Sequence, residues 1–343
     1  MSEGQERLVE VKAARTGAAR VLDLLGRVWF LDVAIIVIGF YFLGQAISLH
    51  RVTDFMIFCI FVMSFDLLYG YMGRLSFGHM LFLGTGAYVT TLFIVHVNNN
   101  PLLAIVVAIA AGAVLAAATG PILIHTGGAT FALIALALNQ VGFFLAQSGF
   151  QQYTHGDNGI SCDPARLGFL NFSSRPVMFG FVLFCLVAVF LLLKLLTRSS
   201  YGILIRSIKE DEIRVKFLGY NTTYYKWLTY VISGMVAALP GALNALNYQF
   251  ISPSIIDTHR NVEVIFAALI GGAGNLYGAL VGGVVFMLIS NVLPTMTDRW
   301  ELVLGIVLLG LVFYFRRGVT GFIVDLIGRR SRPKSLRPGV ERQ

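Results

Sequence analysis

The chain has 343 residues, 57% of them hydrophobic and only 13% charged, against roughly 25% charged in an ordinary soluble domain. A water-soluble fold of this size cannot hide that much apolar side chain. The formal net charge is +8, but the basic residues sit in tails and short loops, which points to anionic lipid and membrane topology rather than to nucleic acid. Cys59, Cys162 and Cys185 show no CxxC spacing, so neither a disulfide framework nor a metal site is indicated.

About 28 mostly polar residues precede the first apolar block, too many for the n-region of a signal peptide, and no small-residue cleavage site follows. That block is expected to remain as an anchor. A hydrocarbon core about 30 Å thick needs about 20 apolar residues of helix. The stretches that qualify are Trp29 to Leu49, Met80 to Val97, Leu102 to Ile124, Ala129 to Gln147, Val177 to Leu196, Trp227 to Tyr248 and Leu302 to Phe315, with Phe55 to Gly70 shorter but similar. Val262 to Leu293 is too long for one straight span and short for two. Its interruption at Gly271-Gly272-Ala273-Gly274-Asn275-Leu276-Tyr277-Gly278 suits a re-entrant hairpin or two half-spans. The fold class is therefore all-α, a polytopic transmembrane bundle of about 8–10 spans, with tails at 1–28 and 317–343 around a membrane domain at 29–316.

Lysine and arginine set the expected orientation. Arg7, Lys12, Arg15, Arg20 and Arg27 precede the first span, and Arg316, Arg317, Arg329, Arg330, Arg332, Lys334, Arg337 and Arg342 follow the last. Both termini are expected in the cytoplasm, and alternation places the loop 198–226 there too, with 148–176 outside. This count agrees with an even number of passes through Val262 to Leu293. Beyond the last span, Val319, Phe322, Ile323, Leu326 and Ile327 repeat at helical spacing, as in a short helix on the membrane interface.

No Gly-x-x-x-x-Gly-Lys-Ser/Thr, HExxH or GxSxG occurs. Catalysis, an ATP site and a bound cofactor are thus not expected in this chain, and any ATP must be hydrolysed elsewhere. The loop from Arg198 to Asn221 is the most informative polar segment. Ile203 to Leu218 reads as one helix, with Arg206/Glu210 and Glu210/Arg214 at i, i+4 spacing, Gly219 as C-terminal cap, and an apolar stripe of Ile205, Ile208, Val215 and Leu218 interrupted by Glu212. It is either an ordinary solvated helix or one that docks into a cytoplasmic ATPase and passes rigid-body motion to the flanking spans.

Tyr201-Gly202-Ile203-Leu204-Ile205-Arg206-Ser207-Ile208-Lys209-Glu210-Asp211-Glu212-Ile213-Arg214, continuing to Leu218-Gly219-Tyr220-Asn221, resembles the coupling loop of LivM-type permeases of the branched-chain amino-acid ABC importers. Gly70-Tyr71-Met72-Gly73-Arg74-Leu75-Ser76-Phe77-Gly78-His79, leading to Gly84-Thr85-Gly86-Ala87-Tyr88, and the cluster Gly271 to Gly278 resemble that family's two glycine-rich stretches. The resemblance runs from Phe55 to Phe315 in the right order. It implies a second homologous permease, two cytoplasmic ATPase subunits, an extracytoplasmic solute-binding protein delivering a small polar solute, an amino acid, to 148–176 and 251–261, and a bacterial inner-membrane location. It also implies ATPase coupling through Arg206, Lys209, Glu210, Asp211 and Arg214. Two positions depart from the family pattern. His155 interrupts Thr154-His155-Gly156-Asp157-Asn158-Gly159-Ile160, where relatives run closer to Thr-Gly-Gly, and Asp66 stands where they more often carry asparagine.

The glycine breaks can unwind helices and turn their termini toward a charged or zwitterionic solute, which makes Gly73, Ser76, Gly78, His79, Gly271, Gly272, Gly274 and Asn275 candidates for the translocation path. Close helix packing, as in Gly278-x-x-x-Gly282, is the competing role. Among polar residues in or beside apolar runs (Asp66, Arg74, His79, Asn139, Gln140, Asn244, Asn247, Glu263), Asp66 and Arg74 are expected to neutralise each other, His79 to be a satisfied hydrogen-bonding group, and Glu263 to lie near the outer interface. The function expected is the permease subunit of an ATP-driven importer for branched-chain or related amino acids. The alternatives are a permease for urea or short amides, and an ion-coupled carrier using Asp66, His79 or Glu263.

Overall fold

Apolar runs of the length seen here close their backbone hydrogen bonds only as helices when water is absent. The computed structural model describes residues 29–164, 172–296, 299, 302, 303, 305, 306 and 310. The described helices are α1 (Trp29–Ala46), α2 (Leu49–Asp66, prolonged by a π turn Leu67–Tyr71), α3 (Met80–His96), α4 (Pro101–Leu123), α5 (Gly128–Phe144, with a π turn Leu145–Gly149) and the short α6 (Gln151–Thr154). They continue with α7 (Arg175–Arg198), α8 (Ser200–Glu210), α9 (Glu212–Phe217), α10 (Thr222–Tyr248), α11 (Thr258–Gly271) and α12 (Leu276–Met296). Two short strands, β1 (Ile160–Ser161) and β2 (Phe250–Ile251), pair antiparallel and tie the segment after α6 to the end of α10.

Among the described residues six helices are long and apolar enough to cross a membrane: α2 with its π turn, α4, α5 with its π turn, α7, α10 and α12. α1 and α3 add shorter apolar helices. Most of Leu302 to Phe315, both expected tails and the amphipathic stretch after Val319 lie outside the described residues. The span read as Phe55 to Gly70 is longer than expected, because His50, Arg51 and Asp54 belong to the first turns of α2. Val262 to Leu293 resolves into two unequal helices. α11 has 14 residues, about 21 Å of rise, and stops short of a full crossing, whereas the 21 residues of α12 rise about 32 Å and complete one.

Burial and side-chain contacts give the layers. α2 is the central helix, buried from Val52 to Leu68 except for Asp54 and Phe58, and it touches α7, α10, α11 and α12. α10 lies against α3 and α4. The α3–α10 approach needs two glycines, since a Cβ on Gly86 would collide with the carbonyl of Ala238 and one on Gly241 with that of Leu83. The outer faces carry exposed Ile35, Ile38, Val106, Val114, Leu133 and Phe184, a surface that hydrocarbon covers and water would not.

Connections between these helices define two ends. One carries α8 and α9 and receives the ends of α2, α4 and α7. The other carries the β1–β2 pair, the start of α2 and the end of α10. α3 starts in the interior, where the Met80 amide donates to the Asn261 Oδ1 of α11 at 3.0 Å. That bond, made from a side chain that is 1% exposed, satisfies a helix N-terminus that has no water to turn to.

Candidate functional site

The two glycine-rich breaks meet. A Cβ on Gly70 would strike the Asp66 carboxylate and the backbone nitrogen of Gly274. The fully buried Asp66 accepts from the Gly274 N–H at 2.8 Å through Oδ1, and its Oδ2 has no partner among the described residues. Gly274 has φ +85° and Gly272 +97°, a left-handed backbone that residues with a Cβ adopt only under strain. They form the turn between α11 and α12, and the Asn275 side chain caps α12 by accepting from Tyr277 N at 3.2 Å. Gly271, Gly278 and Gly282 serve close packing: a Cβ on Gly271 would meet the Gly278 carbonyl and one on Gly282 the Ala267 carbonyl.

The α8–α9 hairpin reaches this junction directly. Lys209 of α8 donates from Nζ to the Gly70 carbonyl at 2.7 Å, on the π turn of α2. Its stem lies so close to Gly73, at φ +76°, that a Cβ there would sit 2.8 Å from Lys209 Cγ. Arg206, one turn earlier, places its guanidinium 4.6 Å from the centre of the Tyr71 ring. Lys209 and Arg206 thus clasp the end of α2, where the sequence placed them toward an ATPase.

Ile203 to Leu218 is not one helix. It breaks at Asp211, which takes an extended backbone and caps α9 by accepting from Arg214 N at 3.0 Å. The expected Glu210–Arg214 pair does not form across the break; Arg214 pairs with Asp211 at 3.3 Å, and Glu210 is exposed. Nor does the expected apolar stripe face outward. Ile205, Ile208 and Val215 are buried against the bundle and only Leu218 of that stripe is exposed, together with Ile203, Ile213 and Phe217, the last 87% exposed.

Glu212, read as an interruption, is the hub that fixes the hairpin. It accepts from Lys226 Nζ at 2.9 Å and Thr222 Oγ1 at 3.1 Å, pairs with Lys216 at 2.9 Å, and lies 3.6 Å from Arg74. Partial burial raises its pKa, but the hydrogen bonds from Lys226 and Lys216, the Lys226 charge and the Thr222 hydroxyl outweigh that and bring it down to about 2. Arg74 also donates to the Thr126 carbonyl at 3.0 Å. The Asp66–Arg74 neutralisation expected from sequence is therefore absent: Asp66 turns to Gly274 and Arg74 to Glu212, because the π turn and the bend after it point the two side chains toward different elements.

Ser76, Gly78 and His79 line the buried return from α2 to α3. Ser76 Oγ accepts from Gly78 N at 3.3 Å, and a Cβ on Gly78 would collide with the Ala135 carbonyl. His79 shares a 3.0 Å hydrogen bond with Ser64 Oγ among the rings of Phe61, Phe65 and Phe82. Asn139 and Gln140 donate to the Ile256 carbonyl at 2.9 Å and to Thr258 Oγ1 at 2.6 Å, which holds α5 to the entry of α11. Between α6 and β1 His155 takes a left-handed backbone, φ 55°, next to Gly156. Among the described residues no group of three or more His, Cys, Asp or Glu is placed to hold a metal.

One buried cluster escaped the sequence reading. Lys194 of α7 and Asp32 of α1 form an ion pair, each side chain at most 3% exposed, and Tyr277 of α12 donates to Asp32 Oδ1 at 2.7 Å. It joins α1 and the start of α12 to α7, four residues before α7 ends at Arg198. The only advance signal was a single charge inside each of two apolar runs.

A helical bundle that crosses the membrane many times, with lipid-suited outer faces and a polar hairpin clasping two broken segments at one end, defines a multi-pass membrane transport protein. Residues 48–312 match the family model described as branched-chain amino acid transport system / permease component, and the chain belongs to that family. It is 24% identical to the high-affinity branched-chain amino acid transport system permease protein LivM of Salmonella typhimurium over 81% of this chain and 71% of that protein. It is 31% identical to BraD of Pseudomonas aeruginosa, a permease of the same description, over 42% of this chain and 44% of that one. The ribose import permease protein RbsC of Escherichia coli is 26% identical over 74% of each chain. No solved structure matches.

Proposed function

We propose that the chain is one of two membrane-spanning permeases of an ATP-driven importer for branched-chain or related amino acids, set in a bacterial inner membrane with the α8–α9 end in the cytoplasm. Each permease forms half of the path, two ATPase subunits supply the energy, and an extracytoplasmic receptor delivers the solute. Family membership over residues 48–312 supports this reading, as does the concentration of lysine and arginine at the α8–α9 end.

The observation that carries the coupling role is the bond from Lys209 to Gly70. A rigid push on the hairpin arrives at the point where α2, α11 and α12 are broken and touching, without passing through any flexible segment. Ile213, Phe217 and Leu218, rimmed by Glu210 and Arg214, offer the apolar patch an ATPase would cover. Lys209 and Arg206 then transmit motion and Asp211 shapes the hairpin. The solute passes beside the Gly73–His79 return and the Gly271–Asn275 turn.

Co-expression with the ATPase and permease partners tests this. The tagged chain should retain ATPase subunits in mild detergent, and reconstituted vesicles should take up leucine only with ATP. Phe217→Asp should insert normally yet lose the ATPases. Uptake by the chain alone, or full ATPase retention by Phe217→Asp, contradicts the reading.

A further inference from the structure

The first turns of α2 and α11 repeat one pattern. Leu49-His50-Arg51-Val52-Thr53-Asp54 opens the first helix and Thr258-His259-Arg260-Asn261-Val262-Glu263 the second, so each places His-Arg and then an acid three residues after the arginine. Spacing of i, i+3 puts arginine and acid on one helix face. All four charged groups line one cavity of about 300 Å³ at the β1–β2 end, a volume at the lower limit of the roughly 300–1,000 Å³ typical of small-molecule sites. The two helices that start together also finish together, at the Gly70–Gly274 contact. Arg51 and Gly70 lie 19 residues apart on α2 and its π turn, so the charged mouth of the cavity is about 28 Å along that helix from the Lys209 clasp.

We propose that this cavity binds an α-amino acid as its zwitterion, with an apolar side chain inward. Four formal charges, two of each sign, sum to zero, which matches a ligand that is neutral overall but doubly charged. Asp54 is already engaged by Asn247 Nδ2 at 2.7 Å and Tyr248 OH at 2.8 Å. Among the described residues Arg260 acts electrostatically on Glu263 and Tyr248, but no side-chain hydrogen bond or close ion pair holds Arg51, Arg260 or Glu263, so two guanidinium forks remain for a carboxylate and one carboxylate for an ammonium. Phe58, Phe61, Met80, Leu83 and Met287 make the apolar wall. An uncharged polyol such as a pentose would offer neither a carboxylate to the two guanidinium groups nor an ammonium to Glu263. This assignment rests on the importer reading for its route but on the cavity alone for its ligand.

The test uses the assembled transporter in lipid nanodiscs, with a reporter cysteine at the rim, Asn291→Cys; the described cysteines Cys59, Cys162 and Cys185 are buried. Maleimide labelling is measured against L-leucine, 3-methylbutylamine, which lacks the carboxylate, and 4-methylpentanoate, which lacks the ammonium. Leucine should protect, and each analogue should need about tenfold more or worse, the loss expected for one charge-assisted contact. Arg260→Gln should abolish discrimination against the amine and Glu263→Gln against the acid, while Arg260→Lys restores most of the former. Equal protection by all three compounds, or by D-ribose, overturns the assignment, as does no protection by leucine from a complex that imports it. Protection by leucine in a complex without ATP-driven uptake sinks the importer reading and leaves the site standing.

Discussion

Replacing Lys209 with methionine isolates the link between hairpin and bundle. The stem that lies against Gly73 is kept, and only the ammonium bonded to the Gly70 carbonyl is lost. A hydrogen bond from a charged group contributes about 1.5–3 kcal/mol net. Lys209 is largely exposed, so water partly replaces the donor and the lower end, about 1.5 kcal/mol, applies. That is roughly a tenfold weakening of the equilibrium tying hairpin position to the α2 break. The assay is leucine uptake and ATP hydrolysis in the same reconstituted vesicles. Assembly and basal ATPase should be near wild type, while leucine moved per ATP falls several-fold, and Lys209→Arg should recover part of it. An unchanged ratio with the complex intact would refute the clasp as a transmission element.

Gly70→Ala drives a methyl into the Asp66 carboxylate and the Gly274 nitrogen. It should cost about 1–3 kcal/mol or more, seen as a lower melting temperature and reduced yield on detergent size-exclusion, whereas Gly39→Ala, with nothing near its Cβ, should be neutral. Lys194→Met strands the buried Asp32 carboxylate and should destabilise by about 3–5 kcal/mol; Lys194→Met with Asp32→Leu should recover most of it in the same melting assay. Glu212 has a folded pKa of about 2, below its ordinary 4.5. The stability it contributes is therefore complete above pH 4.5 and lost as pH falls toward 2. The melting difference between wild type and Glu212→Gln should be constant at neutral pH and shrink across that window, and a difference that grows on acidification would contradict the network.

Arg51, Asp54 and Arg260 show how a sequence signal was present and passed over. Arg51 and Asp54 precede the apolar run that starts at Phe55, and Arg260 falls in the stretch 251–261; only the cavity they share shows that the two copies of His-Arg-x-x-acid meet. The Asp66–Arg74 pairing failed for a related reason. Eight residues of separation says nothing about direction once a π turn and a bend intervene. The α8–α9 segment was legible as a helical element with the right residues but not as a hairpin, since Asp211 can continue a helix or cap one and nothing local decides between them.

The sequence by itself determined the lengths of the apolar runs, the grouping of positive charge, the two glycine breaks and the family. These follow from the transfer of side chains to hydrocarbon and from backbone freedom, both local properties. Only the tertiary structure decided that the breaks touch each other, that Lys209 and Arg206 reach the end of α2 while Phe217 stands clear of it, and that two helix starts far apart in the chain line one cavity. Those are contacts between elements, set by packing and by where each buried charge finds its partner.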